Sequence, residues 1–122
     1  MSHTVKIDTK FLDEQAAIAA ANEMGAEIVR GKLHLYQKDS TVENGFGVKL
    51  PGWRYPVIID FQTGEAQYDD FKGRWGDTVH LEKFKQLYAT HKATIEFKKK
   101  GWLVSRTLAP NGSIKLQVTG VA

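Results

Sequence analysis

The segment from Asp77-Thr78 to about Lys100 constrains the fold most, because its large side chains recur on one face of a helix. Their spacings are three, four, three and four residues, as in an amphipathic helix. These side chains belong to Leu81, Phe84, Tyr88, His91 and Ile95. Asp77 or Thr78 is suited to cap the N-terminus, and Gly101 is suited to end the helix. A helix with one apolar stripe needs a covering layer, so we expect it to lie on a sheet.

A shorter helix is predicted near the N-terminus. Residues 5–9 alternate as a strand does, and Asp13 is suited to be a helix N-cap. The segment from Ala16 to Met24 is rich in alanine, which favours helix, and Gly25 can end it in the left-handed conformation. Small side chains on its inward face would let this helix lie close against a sheet.

Strands are predicted between the two helices. AEIV and KLHLY predict two short strands with a tight turn near Arg30-Gly31, followed by a polar loop over 37–47 and an optional strand over 48–50. YPVIIDFQTGEAQYDDF then predicts a hairpin. With a two-residue turn at Thr63-Gly64, Phe61 would lie opposite Ala66 and Ile59 opposite Tyr68.

The last hairpin has two candidate registers. A two-residue turn at Asn111-Gly112 would set apolar residues opposite polar ones and waste the alternation of both strands. A three-residue loop over 110–112, with Gly112 left-handed, instead pairs Leu108 with Ile114. We prefer the second register because it gathers the apolar residues on one face.

These elements predict one α+β domain over residues 1–122, with two helices packed on one face of an antiparallel sheet. The predicted order is β-α-β-β-(β)-β-β-α-β-β. Each helix is followed by a glycine and then by a strand ending in arginine (AEIVR and WLVSR), which suggests a two-fold pseudo-repeat.

The composition excludes several classes of protein. Hydrophobic residues make up 42% and charged residues 25%, as in soluble globular proteins, and the net charge is +3. The chain has no cysteine, which excludes disulfides, thiolate metal sites and cysteine nucleophiles. Neither a membrane span of about 20 apolar residues nor a signal peptide is recognisable, so we expect a cytoplasmic protein.

Histidines and hairpin carboxylates are the candidate catalytic groups, but none forms a known motif. His80 and His91 are eleven residues apart, about 16 Å along one helix, and cannot ligate one metal ion unaided. His91 lies in the apolar stripe, which favours a hydrogen-bonded core histidine, and Asp60 fits a solvated hairpin face. No nucleotide-binding glycine motif is present. We therefore assign no catalytic residue, metal or cofactor.

Basic residues interleaved with aromatic ones are the strongest functional signal, since such surfaces bind single-stranded nucleic acids. They are Trp53, Arg54, Lys72, Arg74 and Trp75, together with Lys92 and Lys99 of one helical stripe. Two features favour a merely solvated surface. Lysines complement the dipole at a helix C-terminus, and Glu96 stands four residues from both Lys92 and Lys100.

The two ends of the chain resemble a known family. MSHTVKIDTK, LYATHKATIEFKKKGW and NGSIKLQV resemble proteins first described as a hypothetical chloroplast reading frame, with relatives in algal plastids, cyanobacteria, other bacteria and phages. Residues 37–76 match only in pattern. The family is classed as a domain of unknown function, so the resemblance implies no activity or cofactor. It does imply that His3 and His91 occupy recurring histidine positions. It also allows a plastid stroma or, for a phage protein, the host cytoplasm.

We therefore expect a small non-enzymatic binding module that acts on a nucleic-acid or protein partner through the basic and aromatic residues. The alternative is a protein that binds a small molecule or nucleotide, and such a protein could be an enzyme. Its pocket would lie between the 37–55 loop and the second helix. The candidate polar groups of that pocket are His3, His34, Asp60 and His91.

Overall fold

The computed structural model describes residues 3–7, 9–34, 41–70 and 78–120. These residues form an α+β structure, as the sequence predicts. Its elements are β1 (His3–Ile7), α1 (Glu14–Met24), β2 (Glu27–His34), β3 (Thr41–Lys49), β4 (Val57–Ile59), β5 (Ala66–Asp70), α2 (Thr78–Lys99), β6 (Leu103–Leu108) and β7 (Ile114–Thr119). Five strands form an antiparallel sheet in the order β1-β5-β4-β3-β2, and β6 pairs with β7 in a second sheet.

Both helices pack on one face of the five-stranded sheet, as predicted. Alternate residues of β3, β4 and β5 are buried on this face, and they share one cluster with the inward residues of the helices. The strand residues are Phe46, Val48, Val57, Ile59, Ala66 and Tyr68, and the helix residues are Ala16, Ala17, Ala20, Ala21, Leu81, Phe84, Leu87 and Tyr88. The alanines let α1 approach closely, while α2 supplies the bulk.

Tyr88 joins the two helices by its ring and by its hydroxyl group. The hydroxyl accepts hydrogen bonds from the backbone N–H groups of Leu12 (3.0 Å) and Asp13 (3.1 Å). The Asp13 side chain in turn accepts from the N–H of Ala16 at 3.1 Å and caps α1. The start of α1 is therefore fixed against the middle of α2.

The turn predicted near Arg30-Gly31 is wrong, and the segment is one continuous strand, β2. Gly31 has a φ of 104°, but the chain does not reverse direction there. The register between β2 and β3 shifts instead between Gly31 and Leu33. The loop predicted over 37–47 is wrong from Thr41 onward, because β3 begins there.

The glycines of β3 explain this difference, because they make room for a side chain of β2. A Cβ atom on Gly47 would lie 2.9 Å from Cδ1 of Leu33, and one on Gly45 would lie 3.0 Å from the same atom. Leu33 thus packs across β3 and is buried with Ile58 in a second small cluster, which lies on the other face of the sheet.

The hairpin of β4 and β5 exists as predicted, but its turn is longer. Ile59 lies opposite Ala66, two residues away from the predicted register, and residues 61–64 form the loop. The Asp60 carboxylate accepts the N–H of Gln62 at 2.9 Å, which favours the longer turn. A shift of two residues keeps every side chain on its predicted face.

The register of the last hairpin is confirmed. Leu108 lies opposite Ile114, and Gly112 is left-handed with a φ of 86°. The hairpin nevertheless stands apart from the main sheet and leaves Leu103 and Leu108 about two-thirds exposed. The helix–glycine–strand pattern behind the predicted repeat recurs locally, but only the first copy joins the main sheet.

Candidate functional site

The C-terminal half of α2 and the residue after it carry four lysines, Lys92, Lys98, Lys99 and Lys100, which we call the α2 lysine cluster. Lys98, Lys99 and Lys100 are exposed, and Lys92 is half-buried. None of the four forms an ion pair with another described residue. The pairing of Glu96 with Lys92 and Lys100 that the spacing predicts is therefore absent. These charges are neutralised by solvent ions or by a partner.

Trp102 supplies an aromatic surface next to this cluster. Its indole stacks on Phe97, with ring centroids 5.4 Å apart and an angle of 17° between the planes. The Nζ atom of Lys100 lies 5.3 Å from the centroid of the indole, within cation–π distance. Trp102 remains half exposed. Trp102 is not among the predicted binding residues, although its place directly after KKKG in the sequence was a usable signal.

The other predicted aromatic and basic residues are placed differently. Trp53 is only 4% exposed, and its ring packs edge-on against Tyr68 at 5.2 Å, so it belongs to the core and offers no open face for stacking. Arg54 is exposed beside it. Lys72, Arg74 and Trp75 lie outside the described residues.

His91 belongs to a cluster of three polar side chains from α1, α2 and β6. Its Nε2 atom lies 2.7 Å from Oε1 of Glu23, and Arg106 donates to both carboxylate oxygens of Glu23 at 2.8 and 3.1 Å. The hydrogen bonds from Arg106 are the main cause that lowers the pKa of Glu23, burial opposes them, and His91 adds to them. The same contact raises the pKa of Arg106. Because Glu23 of α1 contacts both His91 of α2 and Arg106 of β6, this cluster joins the last hairpin to both helices.

An open cleft of about 520 Å³ lies between β3 and the hairpin of β4 and β5, and Glu14 of α1 lines one side. Asp60 lines this cleft, whereas His91 does not. The predicted pocket beside the second helix therefore does not unite these two residues. The His3 and His34 side chains lie outside the described part of the structure.

Two further features are absent from the described residues. No three His, Asp or Glu side chains in the described ranges converge as a metal site would require. Neither helix is long and apolar enough in its described residues to cross a membrane.

Comparisons with protein-family models, with curated proteins and with solved structures gave no match. The resemblance to the family of the chloroplast reading frame therefore stays a prediction.

Proposed function

We propose that this protein is a small non-enzymatic binding module that holds a single-stranded nucleic acid on the α2 lysine cluster and Trp102. The observation that carries the proposal is a set of four lysines with no acidic partner in the described chain, next to a half-exposed indole. A surface that binds single strands has two parts: lysines placed along the sugar-phosphate backbone of the nucleic acid, and an aromatic ring that stacks on a base.

The helix dipole accounts for only part of this cluster. Its effect is confined to the last turn of a helix, where Lys98 and Lys99 lie. Lys92 precedes Lys99 by seven residues, which is about 10 Å along the helix axis. A partner that follows the helix would contact Lys92 as well, and a phosphate backbone has this extended form.

The cluster is large enough for a few phosphates. From Lys92 to Lys99 the helix rises by about 10 Å, a length that about two or three consecutive phosphates of an extended single strand would cover. If three phosphates are neutralised, binding should weaken about twentyfold between 50 and 200 mM salt.

A cysteine-free chain also suits a reducing compartment, and the proposal places the protein in the cytoplasm.

The test is the fluorescence anisotropy of a labelled oligothymidylate of about twelve nucleotides, which covers a typical site for single strands. The double variant Lys92→Gln/Lys99→Gln should reduce the slope of log K against log salt concentration by about 1.4, because two phosphate contacts are lost. The control, Lys32→Gln/Lys49→Gln, removes two exposed lysines of β2 and β3 and the same charge.

The proposal fails if the native protein does not bind the oligonucleotide at low salt. It also fails if both double variants weaken binding equally, since the attraction would then depend only on the net charge. A protein, the other predicted partner, would in either case be the next to test.

A further inference from the structure

The cleft beside β3 has an open backbone edge, because β4 ends early. The two strands pair through Phe46 and Ile59, Gly47 and Ile58, and Val48 and Val57. The same register would next pair Gly45 with Asp60 and Asn44 with Phe61.

Asp60 instead closes its own hairpin. Its N–H donates to the carbonyl of Glu65 at 2.8 Å, and its carbonyl accepts from the N–H of Gly64 at 2.7 Å. In the part of the chain that the structure describes, no strand pairs with this edge of β3 over residues 42–45.

The walls of the cleft suit an occupant with both apolar and polar groups. Apolar side chains of the face that the helices cover form its floor, and three amide side chains also line it. The floor residues are Phe46, Ile59, Phe61 and Ala66, the amides are Asn44, Gln62 and Gln67, and Val42 and Ile58 line the cleft from the other face of the sheet. Its volume of about 520 Å³ is in the range of sites that hold small ligands or a few residues of peptide.

The charge of the cleft is opposite to that of the whole chain. Three carboxylates, those of Glu14, Asp60 and Glu65, line it together with one cation, Arg30. The Arg30 guanidinium lies 4.9 Å from the centre of the Phe46 ring and 3.8 Å from Glu14, and Lys10 lies 3.9 Å from Glu65. All four side chains of these two ion pairs are more than half exposed, so neither pair neutralises much of the charge. Because three carboxylates and one cation line the cleft, it favours a cationic occupant.

We propose that this cleft binds a short extended segment of a partner protein that carries lysine or arginine side chains. The segment adds as a strand to the edge of β3 at residues 42–45. Its main chain pairs with β3, its apolar side chains cover the floor, and its basic side chains reach Asp60 and Glu65. Four residues of such a strand span about 13 Å, the length of the open edge. This site is separate from the α2 lysine cluster and does not depend on its function.

The probe is the blocked tetrapeptide acetyl-Val-Lys-Val-Lys-amide, titrated into the full chain and followed by amide NMR shifts. We expect saturable shifts at Asn44, Gly45 and Gln62. A version with N-methylated peptide bonds should not bind, because it cannot donate to β3. The charge-reversed peptide acetyl-Val-Glu-Val-Glu-amide should not bind either.

The matched variants change the charge of the cleft without changing its backbone. Asp60→Asn keeps the Oδ1 acceptor for the N–H of Gln62, and Glu65→Gln leaves its carbonyl in place. Together they should weaken peptide binding about three- to tenfold, as expected for two lost ion pairs at a partly exposed site. The control Glu82→Gln/Glu96→Gln makes the same change of net charge on α2 and should have no effect.

Three results would overturn the proposal. The first is the absence of saturable shifts with the lysine peptide. The second is equal binding of the N-methylated peptide or of free lysine amide, which would make the cleft a site for small amines. The third is an equal loss of affinity in the cleft variant and its control.

Discussion

At the scale of single residues, Glu23 links the last hairpin to both helices. The Glu23 carboxylate on α1 forms a hydrogen bond with His91 of α2 and accepts two hydrogen bonds from the guanidinium of Arg106 in β6. Bidentate pairs of this kind fix orientation as well as distance. Because Glu23 and Arg106 remain about one-third exposed, the contribution to stability is modest.

The free energy of unfolding should depend on Glu23 in a defined range of pH. A carboxyl whose pKa is lowered in the folded state stabilises the protein above its unfolded pKa, and this contribution is lost as the pH falls through the folded pKa. We expect Glu23→Gln to cost no more than about 1 kcal/mol at neutral pH. The difference from the native protein should shrink as the pH falls below about 4.3, the ordinary value for glutamate.

Urea denaturation between neutral and acidic pH measures this difference. Glu96→Gln is the matched control, since Glu96 is exposed and forms no ion pair with another described residue. A difference between native protein and Glu23→Gln that persists unchanged at acidic pH would show that the charge of Glu23 is not what stabilises the fold.

At the scale of elements, the sequence predicted both helices and the register of the last hairpin, because those depend on local spacing. It predicted only the end of β3, as the optional strand over 48–50, since glycines at 45 and 47 are typical of loops. These glycines are needed because the side chain of Leu33, on the neighbouring strand β2, occupies the space that a Cβ atom would take. The register of β4 and β5 was missed for a similar reason: the side chain of Asp60 stabilises a longer turn than the glycine alone indicates.

The packing of Leu33 across β3 can be tested with Gly47→Ala. The new Cβ would lie 2.9 Å from Leu33 and Val29 and 3.1 Å from Pro56, so it has no free direction. We expect a loss of about 1–3 kcal/mol in the free energy of unfolding, since overpacking outweighs the gain in backbone entropy. Urea denaturation measures this loss: a lower midpoint with an unchanged m-value would show that the stability of the fold has changed.

Gly120→Ala is the control for this substitution. The nearest atom to its new Cβ would be Nε1 of Trp102 at 3.7 Å, an ordinary contact. We expect it to leave the stability unchanged or slightly raised. If Gly47→Ala is equally harmless, the Leu33 side chain does not pack as closely across β3 as described.

At the scale of the whole molecule, the two candidate surfaces differ in how far the sequence reveals them. The α2 lysine cluster is nearly contiguous, so its charge is visible in the residues 92–100. The acidic cleft draws its walls from α1, β2, β3 and the hairpin of β4 and β5. It exists only because β4 ends at Ile59, which no local pattern indicates. A sequence can therefore predict a charged helix end, but not a gap in a sheet.

The arrangement of the two sheets makes a last prediction, that the molecule opens in parts. A two-stranded hairpin is marginal by itself, and among the described residues few contacts hold β6 and β7 to the rest of the protein. These are the packing of Ile114 on the core, the hydrogen bond from Gln86 to the Gly112 carbonyl at 3.2 Å, and the contact between Arg106 and Glu23. The amides of β6 and β7 should therefore exchange hydrogen faster than those that pair β3 with β4.

Arg106→Gln separates this local opening from global unfolding. The loss of a contact worth about 0.2–1 kcal/mol should raise the open population of the hairpin about 1.4- to 5-fold. Exchange in the five-stranded sheet should stay unchanged, as it should everywhere in Glu65→Gln, which breaks only the exposed pair with Lys10. Uniform acceleration of both sheets would contradict the prediction, since it would mean that the hairpin and the main sheet unfold as one unit. Because Trp102 directly precedes β6, a ligand held on its indole would slow this opening.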